Sequence, residues 1–416
     1  MRLIIRALTI IALSIVACGS AWAGPPKEIK IGALYAGTGN FSSVSMSLHD
    51  GLLLWVKEVN AAGGVYVGAF KKRIPVRVIA YDDLGNTATV ATLTNELITQ
   101  DKVNVLTSDF GSILTSVSVP IAREHKMLLI NSSGTGTPLF SKNNRYEALV
   151  AQPAQRVAAR YVAQFLAAEA SAGKLRRLAI LYDTNDFTGA EATAFRKTLA
   201  TLHARLKIVF DQGIPTATAD YAVLISRLQA AHPDFVLELG YPSNDIAFLR
   251  GLQDAGAHFG GVFANYPGWE PDLIAKDVGV AADKGVFSFM PGVFLSYKTT
   301  AGMTASQFHA AWNKTYPKGE AAFGLNAAAG YVEGVVIGEM LRHAPDLSQL
   351  GLRRGLYALS GKMVTLQGPF RLASDGEQLG EINALGQVWP KGNAGVALRA
   401  VYPLALATAK PVFGKP

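Results

Sequence analysis

Residues 29–64 read IKIGALYAGTGNFSSVSMSLHDGLLLWVKEVNAAGG, and the order of events within them decides the fold. Ile29 to Leu34 is a short apolar run of strand length, closed by small residues and glycines. Ser45 to Ala62 then reads as a helix, with Leu52, Leu53, Val56 and Val59 on one face. Gly63-Gly64 stops it, because glycine accepts the left-handed cap conformation. Strand, small-residue loop, helix and glycine stop make one βα unit.

The same unit repeats outward. Val76–Tyr81 is a strand, Thr87–Thr99 a helix, Val103–Thr107 a strand, Ser112–Glu124 a helix and Met127–Ile130 a strand. After Gln152-Pro153 the rhythm restarts with the helix Arg156–Glu169. The strands Leu178–Tyr182, Lys207–Asp211, Phe235–Leu239 and Val262–Ala264 follow. They alternate with helices at Ala190–His203, Tyr221–Ala231 and Asn244–Ala255. Strands alternating with amphipathic helices predict parallel α/β sheets, and two successive series predict two similar lobes. The last third is mixed. It holds helices at Ala305–Thr315, Asn326–His343 (apolar stripe Tyr331, Val335, Ile337) and about Leu350–Leu359. A strand is expected at Val396–Tyr402.

A chain of 416 residues, 50% hydrophobic and 17% charged, can bury more than one core and is not a disordered protein. At the N-terminus, Arg2 and Arg6 precede the apolar run Ala7–Ala17, and Ala21-Trp22-Ala23 offers a small-x-small cleavage pattern. That reads as an export signal over residues 1–23, and the mature chain is expected outside the inner membrane. A second reading takes Ile15-Val16-Ala17-Cys18 as a loose lipobox with Cys18 lipidated. No later run has the length and apolarity of a membrane span. Losing the signal removes two arginines and no acid from a net charge of +8. The remaining bases are dispersed; the densest group, Lys71-Lys72-Arg73, sits at an expected hairpin. Nucleic-acid binding needs a larger basic face.

No catalytic constellation stands out, and no cofactor or metal is expected. There is no Walker loop, HExxH, GxSxG or CxxC, and one cysteine cannot build a thiolate cage. Gly37-Thr38-Gly39 superficially follows a dinucleotide loop, but Ser42 stands where the third glycine belongs and no ribose-binding acid follows at a strand end. The seven histidines are scattered, with no i, i+3 or i, i+4 pair.

Loops at strand ends are more informative. Thr107-Ser108-Asp109-Phe110-Gly111-Ser112 and Asn131-Ser132-Ser133-Gly134-Thr135 are rich in small hydroxyl residues. Such loops offer hydroxyls and N–H groups at helix starts, where an anion is favoured. Taken singly, each is explained by N-capping. In the second series, strand ends carry aromatics: Phe187, Tyr241, and the run Asn265-Tyr266-Pro267-Gly268-Trp269. Aromatics in loops suit a face that closes on a ligand.

These residues together resemble the leucine/isoleucine/valine-type periplasmic binding proteins of ABC transporters, which have the type I periplasmic-binding fold. The likeness runs through Ile29-Lys30-Ile31-Gly32, Thr38-Gly39-Asn40-Phe41 and Glu58-Val59-Asn60-Ala61-Ala62-Gly63-Gly64. It continues through Tyr81-Asp82-Asp83, Leu181-Tyr182-Asp183 and Leu249-Arg250 to Ala255-Gly256. It implies two Rossmann-like lobes joined by a three-segment hinge crossing near Gln152, Pro291 and Leu366. The lobes would be 27–151 with 292–365, and 152–291 with 366–416. It also implies a ligand between the lobes, a membrane permease and ATPase as partners, a monomer, and no enzymatic activity.

By the same resemblance, the amides of Gly111 and Ser112 and the hydroxyls of Ser112 and Thr135 hold a carboxylate. The Ser133 carbonyl faces the ligand's other polar group, and Phe187 and Tyr241 stand where the family has tyrosines. The family's acid for a ligand ammonium falls on Asn265, and a disulfide of some relatives falls on Gly85 and Phe110, so that staple is absent. An ammonium buried without a counter-charge is costly, so an aromatic or aliphatic carboxylate is favoured over an α-amino acid, with a small amide next. Asp109 is a possible counter-charge, and Phe110 and Trp269 are possible further contacts. The rival readings are a solute sensor feeding a signalling partner and an exported α/β enzyme.

Overall fold

The computed structural model describes residues 24–318, 321–391 and 395–414; the expected signal segment and Cys18 lie outside the described residues. The βα rhythm builds two sheets. The first is five-stranded, in the order Val76–Asp82, Ile29–Tyr35, Val105–Thr107, Leu129–Asn131, Glu147–Leu149, parallel throughout. The second is seven-stranded. Its parallel part runs Lys207–Ile214, Arg177–Asp183, Phe235–Leu239, Gly261–Phe263, Phe287–Met290. Ala384–Lys391 and Gly395–Tyr402 then add an antiparallel hairpin at its edge. In each sheet the first strand lies inside the second, so the strand order reverses beside it. Ligands of doubly wound sheets bind at that reversal, off the carboxyl ends of the strands.

Local chemistry fixes several boundaries. Asn86 caps the helix Thr87–Thr99 by accepting from the N–H groups of Ala88 and Thr89. Thr304 and Gln307 form a reciprocal capping box on the helix Ala305–Thr315. Thr304→Ala removes that cap; urea unfolding is expected to register a loss of about 1 kcal/mol, with ligand affinity unchanged.

The helix Ser42–Ala61 buries Leu48, Leu52, Leu54 and Trp55, whereas Leu53 is exposed. Three consecutive leucines leave the helical wheel ambiguous, and the choice is made by its neighbour, the helix Leu325–His343. The two approach so closely that a Cβ on Gly330 would lie 1.8 Å from the Leu48 carbonyl oxygen. This neighbour does not carry the expected single stripe; it is enclosed on nearly all sides from Leu325 to Ile337, because it threads the core of the first lobe.

The chain passes between the sheets three times. The first passage follows Leu149 at Gln152-Pro153, and the second follows Met290 at Pro291. The third comes late. Gly376 accepts from Leu149 N at 2.9 Å and Gln378 from Ala154 N at 2.8 Å. Residues 371–380 therefore stay on the first sheet's edge, and the chain crosses between Gly380 and Ala384 rather than near Leu366. The two short strands Val364–Thr365 and Gly368–Pro369 stand in a hairpin of their own.

Candidate ligand-binding site

The loops singled out above all leave the carboxyl ends of parallel strands and meet in one cleft. In the first lobe, Asn131 shapes its loop by accepting from Ser133 N and Gly134 N and donating to Gly134 O at 2.7 Å. Ser133 Oγ then accepts from Gly111 N at 3.0 Å, and Ser112 Oγ accepts from Gly136 N at 3.0 Å. The two loops are thus stitched together. Gly111 N and Ser112 Oγ are engaged within the lobe.

In the second lobe, Asn185 Oδ1 accepts from the N–H groups of Phe187 and Thr188, a turn that presents the Phe187 ring. Pro242 opens the next helix and leaves Tyr241 in extended backbone. Phe187 lies 5.2 Å from Tyr241 and 6.1 Å from Trp269, centroid to centroid. Tyr266 meets Trp269 edge-on at 5.2 Å, and Phe289 stacks behind it.

Across the gap, Tyr241 meets Phe41 at 5.1 Å and Phe110 at 6.2 Å. The lobes are closed on each other. The Tyr241 hydroxyl faces the backbone amides of Ser112 and Ile113 at the start of the helix Gly111–Glu124. Burial pushes its titration upward, so it stays a neutral phenol. Between the lobes remains a cavity of about 10 Å³, the room of a single water. Phe110, Gly111, Ser133, Phe187, Tyr241, Tyr266 and Trp269 line it, as do Gln152, Leu325 and Asn326.

Four expected contacts do not line the cavity with their side chains. Ser112 touches the site through its backbone, as above. Thr135 Oγ1 donates to Gln155 Oε1 at 3.1 Å. Asn265 is fully buried and turned into the second lobe, donating to Glu191 Oε2 at 3.1 Å. Glu191 in turn faces Gln155, so Thr135 and Asn265 are joined through the hinge helix and not through the cavity. Asp109 turns away toward Asp83, accepting from Ser45 Oγ and Phe110 N at 2.5 Å. Burial, then the neighbouring Asp109, raises the Asp83 carboxyl to about 8, and burial raises Asp109 as well. Both carboxyls are thus biased toward the neutral form, and neither lines the cavity.

Gln152, Leu325, Asn326 and Phe41 were not among the expected site residues. Gln152-Pro153 was legible as a break and Asn326 as a helix start. Nothing in the local sequence tells that the late helix returns to the cleft. Among the described residues, no cluster of histidine, cysteine or carboxylate side chains could hold a metal ion, and no helix is long and apolar enough to cross a membrane.

With this geometry in view, comparison with known proteins is direct. The model of the periplasmic binding protein family matches residues 28–388. The chain belongs to that family. It is 25% identical over 429 aligned residues to the Leu/Ile/Val-binding protein homolog 7 of Brucella abortus, covering 96% of this chain and 97% of that one. Among solved structures it is similar to the branched-chain amino acid transporter substrate-binding protein LivJ of Streptococcus pneumoniae in complex with isoleucine. There the TM-score is 0.74 at 18% identity, covering 91% of this chain and all of that one. It is likewise similar to a solute-binding protein of R. palustris in complex with benzoate, with a TM-score of 0.70 at 17% identity over 91% of this chain and 99% of that one. This periplasmic binding protein thus shares its fold with proteins solved with an amino acid and with an aromatic acid.

Proposed function

We propose that this periplasmic binding protein captures a small carboxylic acid with an apolar, preferably aromatic, body and delivers it to a membrane permease driven by an ATPase. One observation carries the chemical part: among the described residues, no ionised side chain lines the cavity. Its wall is Phe110, Phe187, Tyr241, Tyr266, Trp269 and Leu325, with only neutral polar groups among them. An ammonium enclosed there would meet no counter-charge and would lose its hydration at a cost of several kcal/mol. A carboxylate is served differently. The amides of Ser112 and Ile113 already face an oxygen, the Tyr241 hydroxyl. A ligand oxygen replacing it would gain the helix start as well.

The mechanism is closure. The crossings at Gln152, Pro291 and 380–384 act as hinges, the ligand settles on the first lobe, and the aromatic wall of the second folds over it. The closed form is favoured by the ligand's differential affinity for it. No reaction on the ligand is required. The family and the signal reading both support work in the periplasm.

A thermal-shift series with benzoate, 3-methylbutanoate, benzamide, leucine and isoleucine tests the reading, because a ligand that binds only the folded chain raises its Tm. At about 100 times its Kd an acid adds about 2.7 kcal/mol, a shift of several degrees. A strong shift with leucine or isoleucine and none with either acid overturns the proposal.

A further inference from the structure

One residue of the cavity wall, Asn326, is held from behind by Glu270 of the opposite lobe, and the pair bears on which acid fits. Glu270 follows Trp269 in the second lobe; Asn326 sits in the first turn of the helix Leu325–His343 in the first. Glu270 Oε1 accepts from Asn326 N at 2.9 Å and from Asn326 Nδ2 at 2.7 Å. An oxygen that already accepts from a backbone N–H is an acceptor, so the amide end turned toward it is the NH2 end. The carbonyl end, Oδ1, points the other way and has no partner, although Asn326 is 1% exposed.

Three buried side-chain polar atoms of the described residues on this wall make no side-chain hydrogen bond: Tyr241 Oη, which faces the Ser112 and Ile113 amides, and Trp269 Nε1 and Asn326 Oδ1, which have no partner. The tyrosine hydroxyl can give or take a hydrogen bond and the indole can only give one. Asn326 Oδ1 can only take one. A carboxylate engaged at the Ser112 and Ile113 amides brings no hydrogen to it. A second group on the ligand must.

We propose that Asn326, oriented by Glu270, is a specificity determinant that selects acids bearing a hydrogen-bond donor, a hydroxyl above all, over their unsubstituted parents. A hydroxyl is the group that both donates to Asn326 Oδ1 and accepts from an N–H such as that of Trp269. The parent acid leaves the Asn326 carbonyl desolvated and unpaired, a penalty that a site built around a hydrogen bond imposes on the analogue lacking it. The inference rests on the acid reading above and sharpens it.

Calorimetric titration of the wild-type protein at pH 7 with benzoate and its three hydroxy isomers, and with 3-methylbutanoate beside 2-hydroxy-3-methylbutanoate, decides it. At least one hydroxylated acid is expected to bind ~10-fold or more tightly than its parent. In Asn326→Leu, similar in volume, the ratio of hydroxylated to parent affinity is expected to fall to about 1, whatever happens to the parent's own affinity. The inference falls if every hydroxylated acid binds like its parent, or if the advantage survives in Asn326→Leu. The wild-type comparison stands even if the variant does not fold. If no acid of either kind binds and an amino acid does, the acid reading has failed and this inference with it; if acids bind without regard to hydroxyls, only the selection by Asn326 has failed.

Discussion

Gly136→Val is expected to fold like the wild type and fail to close. Gly136 has φ −58° and ψ 124°, extended backbone that valine adopts without strain. Within its own lobe an added Cβ would lie 3.1 Å from Ser112 Oγ, the end of a side chain that can turn. The obstruction comes from the other lobe. That Cβ would lie 2.5 Å from the Asp186 carbonyl oxygen and 2.9 Å from its carbon, and main-chain atoms beside the Phe187 turn cannot swing aside. The open form feels none of this. Overpacking of this kind costs about 2–3 kcal/mol, here levied on the closed state alone, so affinity drops by roughly 30- to 150-fold. Calorimetry with the best acid of the thermal-shift series reads the loss. Scattering should give Gly136→Val a larger radius of gyration than the wild type at saturating acid, with its unliganded Tm nearly unchanged. Wild-type affinity in this variant would show that the lobes do not close as seen here.

The second large effect is a loss of stability toward alkaline pH. Burial raises the carboxyls of Glu147, Asp183, Glu191 and Glu270 to about 8, and those of Asp245 and Asp283 to about 7. Their values in the unfolded chain are near 4. Between those limits the folded chain holds protons that the unfolded chain has released, so the unfolding free energy falls as pH rises. The contribution is complete below about pH 4 and is lost as pH passes through 7 to 8. Each such carboxyl contributes about 1.4 kcal/mol per pH unit across the window. Two acting together remove roughly 5 kcal/mol between pH 5.5 and 8. Tm is therefore expected to drop steadily over that interval, and Glu191→Gln to flatten the slope. A Tm that holds level or climbs from pH 5.5 to 8 contradicts the assignment.

The fold was readable because its repeating unit is local. Apolar runs of strand length, amphipathic stretches and glycine stops each sit within about twenty residues, and Thr87–Thr99, Phe235–Leu239 and Ala305–Thr315 fall where their patterns place them. Glu147–Leu149 and Ala384–Lys391 were not read as strands. The first has three residues, and the second carries Gln387, Pro390 and Lys391 because it lies toward a sheet edge. Strand pairing supplies what their composition does not.

The site divides along the same line. Gly111, Ser133, Phe187, Tyr241 and Tyr266 were found from loops at strand ends, and Phe110 and Trp269 from their neighbours; all meet at the cavity. Asn265 was placed by counting along the chain from Tyr241, and a count cannot say which way a side chain turns. Its amide turns to Glu191. Asn326 and Glu270 lie 56 residues apart in sequence and on different lobes, so no local pattern could pair them.

The helix Leu325–His343 lies at the heart of the first lobe, pressed against Ser42–Ala61, and residues 371–380 border the same sheet. During biosynthesis the earlier helix therefore emerges nearly 300 residues ahead of the partner that buries it. Until then the first lobe lacks a central element of its core, and the second is complete only when the final hairpin has been made. Neither lobe can lock early on the ribosome. The nascent chain therefore holds no finished lobe until its last segments arrive.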